Sequence, residues 1–165
     1  MGKWDTSRNS GMEERDFCYR VRVRFADTDP MGVVYHSRYL EWFEAARTEL
    51  IRAKGISYKE IEEKGLSLPV IEAFCRYRHS VVYDELIRIK TRLTHLDRLK
   101  LRMEYQVYGE QDTMLRVDGY TLHCFTNQQG RPVRAPESLI HFFRQIKHSK
   151  QFDSIGGDHV KEGTS

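Results

Sequence analysis

Two carboxylates and an imidazole, Asp27, Asp29 and His36, stand close together in residues 25–47, FADTDPMGVVYHSRYLEWFEAAR. A carboxylate can attack an electrophilic carbon or take a proton from water, and a histidine beside it can orient it or donate to a substrate. The apolar-periodic run that follows His36 reads as a helix, and a helix start offers unpartnered N–H groups and the positive end of a dipole. Negative charge is favoured there. The order acid, turn, histidine, helix start therefore places an acid or nucleophile beside a place that holds an anion.

The neighbouring elements are those such a site requires. Phe17, Tyr19, Val21, Val23 and Phe25 alternate with Arg20, Arg22 and Arg24, the pattern of a half-buried strand with a basic outer face that leads straight to the two aspartates. Pro30 lacks a donor and holds Asp29 extended, and Gly32 permits positive φ, so DTDPMG is a loop. Tyr39, Phe43, Ala46 and Leu50 recur at helical spacing, with Ser37 as N-cap and Gly55 as the stop. Leu40, Trp42 and Ala45 widen the apolar surface, which predicts a long helix buried on more than one side. Ser57 and Glu60 form a capping-box pattern for a second, short helix that ends at Gly65.

Beyond residue 68 the period changes to two. Ile71, Ala73, Cys75 and Tyr77 share one parity; Ile87, Ile89, Thr91 and Leu93 do so against Arg88, Lys90 and Arg92; Leu99, Leu101, Met103, Tyr105 and Val107 alternate with polar residues. Leu115 and Val117 begin a further strand, in which Gly119 is expected to mark a bulge that passes the buried parity to Tyr120, Leu122 and Cys124. Short turns at 96–98 and 109–112 suit antiparallel hairpins. Pro136 opens a last amphipathic helix carrying Leu139, Ile140, Phe142, Phe143 and Ile146. The fold class is α+β, one domain over 17–148, with residues 1–16 as a mobile leader and 149–165 as a flexible tail.

Composition narrows the function. The 165 residues are 39% hydrophobic and 31% charged with a net charge of +3, which suits a globular chain and is too mild to argue for nucleic acid. Cys18, Cys75 and Cys124 are odd in number and widely spaced, as expected of free thiols in a reducing cytoplasm. No run is long and apolar enough for an integral membrane segment. The histidines other than His36 show no ligand spacing, so no metal is expected.

Residues 25–49, F-x-D-T-D-x-x-G-V-V-Y-H-x-x-Y-L-x-x-F-E-x-A-R-T-E, together with Tyr83-Asp84-Glu85-Leu86, resemble the hot-dog-fold acyl-CoA thioesterases. The similarity is to the 4-hydroxybenzoyl-CoA thioesterase branch, which includes the bacterial Tol-Pal-associated thioesterases, and it spans 17–146. The resemblance implies a curved antiparallel sheet wrapped around one long central helix, and a homodimer or homotetramer whose active sites lie between chains. It implies an acyl-CoA substrate, with an acyl carrier protein as a possible alternative carrier, and no cofactor beyond the coenzyme A of the substrate. By the same resemblance Asp29 is the catalytic carboxylate, and the backbone N–H of His36 binds the thioester carbonyl oxygen.

On the residues themselves, Asp29 also suits an Asx turn before proline, and Asp27 reads as a brace for backbone donors. Gly32 supports the loop. Glu44 is a further carboxylate on the helix, more simply paired with Arg47 at i,i+3. Tyr35, Tyr39 and Phe43 are candidate walls of the substrate pocket, although aromatics at helical spacing also build cores. The basic faces Arg20, Arg22, Arg24 and Arg88, Lys90, Arg92 are either solvated or contacts for coenzyme A phosphates. Rival functions are a hot-dog dehydratase or hydratase acting on an acyl thioester, separable by release of free thiol, and a non-catalytic acyl-thioester-binding subunit.

Overall fold

The period-two stretches form a five-stranded antiparallel sheet in the order β1-β4-β5-β6-β3. Its strands are β1 (Phe17–Arg22), β3 (Val70–Tyr77), β4 (Leu86–Leu96), β5 (Lys100–Gly109) and β6 (Leu115–Cys124). The structure is a computed structural model that describes residues 17–148; the expected leader and tail lie outside the described residues. A second, two-stranded sheet pairs β2 (Leu66–Ser67) with β7 (Thr126–Asn127).

Alternation in β4 and β5 carries through to burial. Ile87, Ile89, Thr91 and Leu93 of β4, with Leu101, Met103, Tyr105 and Val107 of β5, are buried, while Leu99 sits exposed in the turn between the strands. That turn is closed by Asp97, whose Oδ1 accepts the N–H groups of Leu99 and Lys100 at 2.7 and 2.8 Å.

Three helices complete the domain: α1 (Arg38–Ala53), α2 (Tyr58–Glu63) and α3 (Glu137–His148). The first is the longest, 16 residues, and buries Tyr39, Trp42, Phe43, Ala46, Leu50 and Ile51. It touches β1, β3 and β4, whereas α3 packs on β4, and the apolar faces of both helices join one continuous core. The Ser57–Glu60 capping box forms as expected. Ser37 occupies the N-cap of α1 but makes no side-chain cap bond, contrary to the capping reading. The donors at the helix start are therefore not taken by their own cap.

Two strand expectations change. Gly119 makes no bulge; the register shift between β5 and β6 falls at Val107/Tyr108. The inward parity runs on through Val117, Gly119, Thr121 and His123, so Tyr120, Leu122 and Cys124 face away from the core. A Cβ at Gly119 would stand 2.3 Å from the Phe74 carbonyl oxygen and 2.9 Å from Phe43 Cε2. The glycine is there for close approach, not for a bulge. In β3 the expected inward face stays largely open: Ile71 and Tyr77 are 47% and 48% exposed, as this strand is the sheet's edge.

Gly119→Ala should destabilise the domain by about 2–3 kcal/mol, an overpacking cost, because strand backbone rather than a flexible side chain must yield. A lowered urea midpoint at unchanged slope would register it.

Candidate active site

After β1 the chain makes a 3-10 turn at Phe25–Asp27, and Asp27 is only 1% exposed. Its carboxylate accepts the Arg24 N–H at 2.9 Å and the Arg24 guanidinium at 2.9 and 3.2 Å, and Arg38 Nε lies 3.9 Å away. Burial acts to raise its carboxyl, but the Arg24 hydrogen bonds and the charges of Arg24 and Arg38 outweigh this and hold it below the usual range. The Asp27 carbonyl also accepts the Tyr35 N–H at 2.9 Å. Asp27 thus braces the loop's entry against its exit.

Asp29 lies between these anchors. One carboxylate oxygen, Oδ1, accepts the N–H groups of Met31 at 2.8 Å and Val33 at 3.4 Å. The turn is tightened by Gly32 at φ 79°, whose N–H meets the Asp29 carbonyl at 2.9 Å. The Asx turn forms through Oδ1 alone, and among the described residues Oδ2 accepts no hydrogen bond. The carboxylate is oriented by one oxygen and available through the other.

The exit of the loop is the start of α1. The Tyr35 carbonyl accepts the Arg38 N–H at 3.0 Å, while among the described residues no group accepts from the N–H of His36 or Ser37. The His36 ring packs on Tyr35, centroids 4.3 Å apart, and no hydrogen bond joins its imidazole to Asp29 among the described residues. Asp29, Tyr35, His36 and Tyr39 share one cleft of about 290 Å³ with Val33 and Val34. Its opposite wall is Tyr77, Arg78, His79 and Ser80, where β3 leaves the sheet. Arg116 of β6 holds this wall, its carbonyl accepting from the Arg78 and His79 N–H groups and its guanidinium donating to the Ser80 carbonyl at 3.0 Å. Sequence reasoning missed these four residues; the parity of Tyr77 in β3 was the available signal.

Two expected site residues lie elsewhere. Phe43 is fully buried and stacked on Tyr105, centroids 4.3 Å apart, so it is core and not pocket wall. Glu44 is exposed and forms no ion pair with Arg47 among the described residues. Arg47 turns inward instead, 6% exposed, and donates to the Tyr105 hydroxyl at 3.3 Å. From there a chain of polar groups crosses the core: Tyr105 to Thr121 at 2.8 Å, Thr121 to His123 Nε2 at 2.8 Å, His123 Nδ1 to the Leu68 carbonyl at 3.0 Å. A carbonyl only accepts, so Nδ1 carries the proton and Nε2 accepts from Thr121. Burial, helped by the Arg47 charge, pushes His123 down to about 4, which keeps it in the neutral form this chain needs.

The basic faces are largely engaged within the chain. Arg20 pairs with Glu110 at 3.0 Å, Arg22 donates to the Asp84 carbonyl at 2.7 Å, Arg24 binds Asp27, and Arg88 donates to the Asp112 carbonyl at 2.8 Å. Lys90 lies over the Tyr108 ring. Among the described residues no cluster of side chains suits a metal, and no helix is long and apolar enough to cross a membrane.

An antiparallel sheet packed on a long helix, with an acidic loop delivered to that helix's start, defines a hot-dog-fold protein. Residues 23–143 match the family model described as the thioesterase-like superfamily, and the chain belongs to that family. The acyl-CoA thioesterase YbgC of Haemophilus influenzae is 29% identical over 137 residues, 82% of this chain and 100% of that protein. A crystal structure of a hypothetical protein from Aquifex aeolicus is 32% identical with a TM-score of 0.71, over 76% of this chain and 98% of that one. The DHNA-CoA thioesterase of Staphylococcus aureus is 28% identical with a TM-score of 0.75, over 80% and 91% of the two chains.

Two of the buried titratable groups, His123 and Asp27, act in different pH windows. An unfolded histidine binds a proton below about 6.5 while folded His123 resists until about 4, so stability falls through that window as pH drops. Asp27, depressed when folded, contributes above its ordinary value of about 3.9 and is lost below it. His123→Gln should shallow the upper limb of a plot of urea midpoint against pH, and Asp27→Asn the lower. A single substitution that flattened both limbs would contradict the assignment.

Proposed function

We propose that the cleft hydrolyses an acyl-CoA thioester to a carboxylic acid and free coenzyme A. The observation that carries this is Asp29, held through Oδ1 by two backbone N–H groups with Oδ2 unengaged, in the same cleft as an uncapped helix start. The relatives named as acyl-CoA thioesterases support the substrate class, and nothing observed favours the hydratase or non-catalytic readings.

In this reading the carbonyl oxygen of the thioester sits at the start of α1, where the His36 N–H and the helix dipole stabilise the negative charge of the tetrahedral species. Asp29 Oδ2 either attacks the carbonyl carbon or takes a proton from the attacking water. In the first route the C–S bond breaks to leave a mixed anhydride, which water then hydrolyses. In the second, water adds directly and the C–S bond breaks as the tetrahedral species collapses. Both consume one water and release coenzyme A as its thiol after protonation, and neither needs a metal or redox cofactor. Tyr35 and Tyr39 border the acyl group, and Gly32 and Asp27 keep the loop's shape.

In this reading the protein is a homodimer, supported by the edge strand. β3 exposes Val70, Ile71, Phe74 and Tyr77, and an open, apolar edge invites pairing with a second copy. Two such sheets joined at β3, each wrapping its own α1, would bring the clefts near the interface, and two dimers could assemble further into a tetramer. Carrier-protein thioesters are a second form in which the same acyl group could arrive. Three free, partly buried cysteines suit a reducing cytoplasm.

Asp29→Asn should abolish thiol release from the best of a panel of aliphatic and aromatic acyl-CoA esters, while sedimentation shows the oligomer unchanged. His36→Ala should cost less, since its backbone N–H remains. Near-wild-type turnover by Asp29→Asn would refute the assignment; equal losses would transfer weight to the imidazole.

A further inference from the structure

Tyr39, the second residue of α1, is 3% exposed and lines the cleft with Asp29 and His36. Its ring stands edge-on to Trp42, centroids 5.3 Å apart at 76°, and tilted against Tyr77 at 5.4 Å, so its direction is fixed by packing. A tyrosine hydroxyl taken out of bulk water normally finds a partner in the protein. Two others here do. The Tyr77 hydroxyl donates to the His36 carbonyl at 2.9 Å, and the Tyr105 hydroxyl bonds Thr121 at 2.8 Å and accepts from Arg47 at 3.3 Å. Among the described residues the Tyr39 hydroxyl has no hydrogen-bond partner.

Nor is that hydroxyl sealed in the core. Among the described residues the enclosed side-chain atoms without a partner are Arg47 Nε, Thr91 Oγ1, Arg102 Nε and Arg116 Nε. An unbonded hydroxyl that is not enclosed reaches accessible space, and for a residue this buried that space is the cleft it lines. Burial raises the Tyr39 hydroxyl above its ordinary range, so it keeps its proton and stays a donor through neutral pH.

We propose that the Tyr39 hydroxyl hydrogen-bonds an oxygen carried by the acyl group, so that the cleft selects acyl thioesters bearing a hydroxyl or oxo substituent over hydrocarbon acyl groups of similar size. The proposal rests on the thioester-hydrolase reading of the cleft. In that reading the thioester carbonyl sits at the start of α1, so the partner left for Tyr39 is on the acyl group that its ring borders. A hydrocarbon acyl group strips water from the hydroxyl and returns nothing, whereas a well-placed oxygen returns the bond. Leaving such a donor unsatisfied sets the two kinds of substrate apart by about 5- to 150-fold.

The test is thiol release from matched acyl-CoA esters by the wild type, Tyr39→Phe and Asp29→Asn. The esters are butanoyl against 3-hydroxybutanoyl and 3-oxobutanoyl, and benzoyl against its ring-hydroxylated isomers. In the wild type kcat/KM should favour an oxygenated member of at least one set by about fivefold or more. Tyr39→Phe keeps the ring and removes only the hydroxyl, and the same preference should fall to within about twofold. Because the hydroxyl bonds nothing in the chain, the thermal midpoint of Tyr39→Phe should hold or rise. That pattern, with Asp29→Asn inactive, supports the role. A wild type without the preference overturns it, and so does a preference that survives in Tyr39→Phe. A lowered midpoint or a dispersed oligomer in Tyr39→Phe also overturns it, since the hydroxyl is then a structural group. With Asp29→Asn inactive, each of these failures leaves the hydrolase reading standing. An active Asp29→Asn, or a wild type that releases no thiol from any ester, overturns the hydrolase reading and this proposal with it.

Discussion

The distance between α1 and the sheet is set where Phe43 meets Gly119. No side chain stands between the phenyl ring and the strand backbone at that point, and Tyr105 stacks on the ring's flat face. Close packing of this kind does not deform by small amounts. The helix start, about one and a half turns before Phe43, is thereby fixed relative to β3, and every contact between His36 and Tyr77 depends on that setting. The functional geometry is thus inherited from a contact in which no functional group takes part.

Within the frame, the loop divides its duties. Asp27 is buried with both oxygens engaged by Arg24, which suits a brace. Asp29 has one oxygen tied and one open. Two aspartates of identical chemistry, separated by one residue, differ because the backbone turns between them and presents only one to the cleft. Ser37 adds to this by not capping: a serine hydroxyl bonded to the first amides would have competed with any anion arriving there.

Much of this was legible in the sequence. Alternation in β4 and β5 assigned their buried faces correctly because both strands are interior to the sheet and face one core. The same rule applied to β3 did not hold, since an edge strand needs no buried inner row within one chain. Gly119 was ambiguous in principle: a strand glycine signals either a bulge or a close approach, and only the helix's position decides. Spacing at i,i+3 pairs Arg47 with Glu44, yet its neighbour across the core is a tyrosine no local pattern could supply. Asp29, His36, Tyr35 and Tyr39 were found together because they are near in sequence. Tyr77 to Ser80 were not, because strand pairing brings them to the cleft.

That last dependence has a consequence for biosynthesis. β3 is held in the sheet by β6, residue Tyr77 lying opposite Val117 and Val70 opposite His123. A nascent chain that has released Asp29 and His36 carries both groups but no second wall, and it cannot build one until β6 has emerged as well. Closure of such a distant pairing is slow compared with helix formation. The cleft therefore cannot form before β6 pairs with β3, and a fragment that stops short of β6 holds the motif without the cleft.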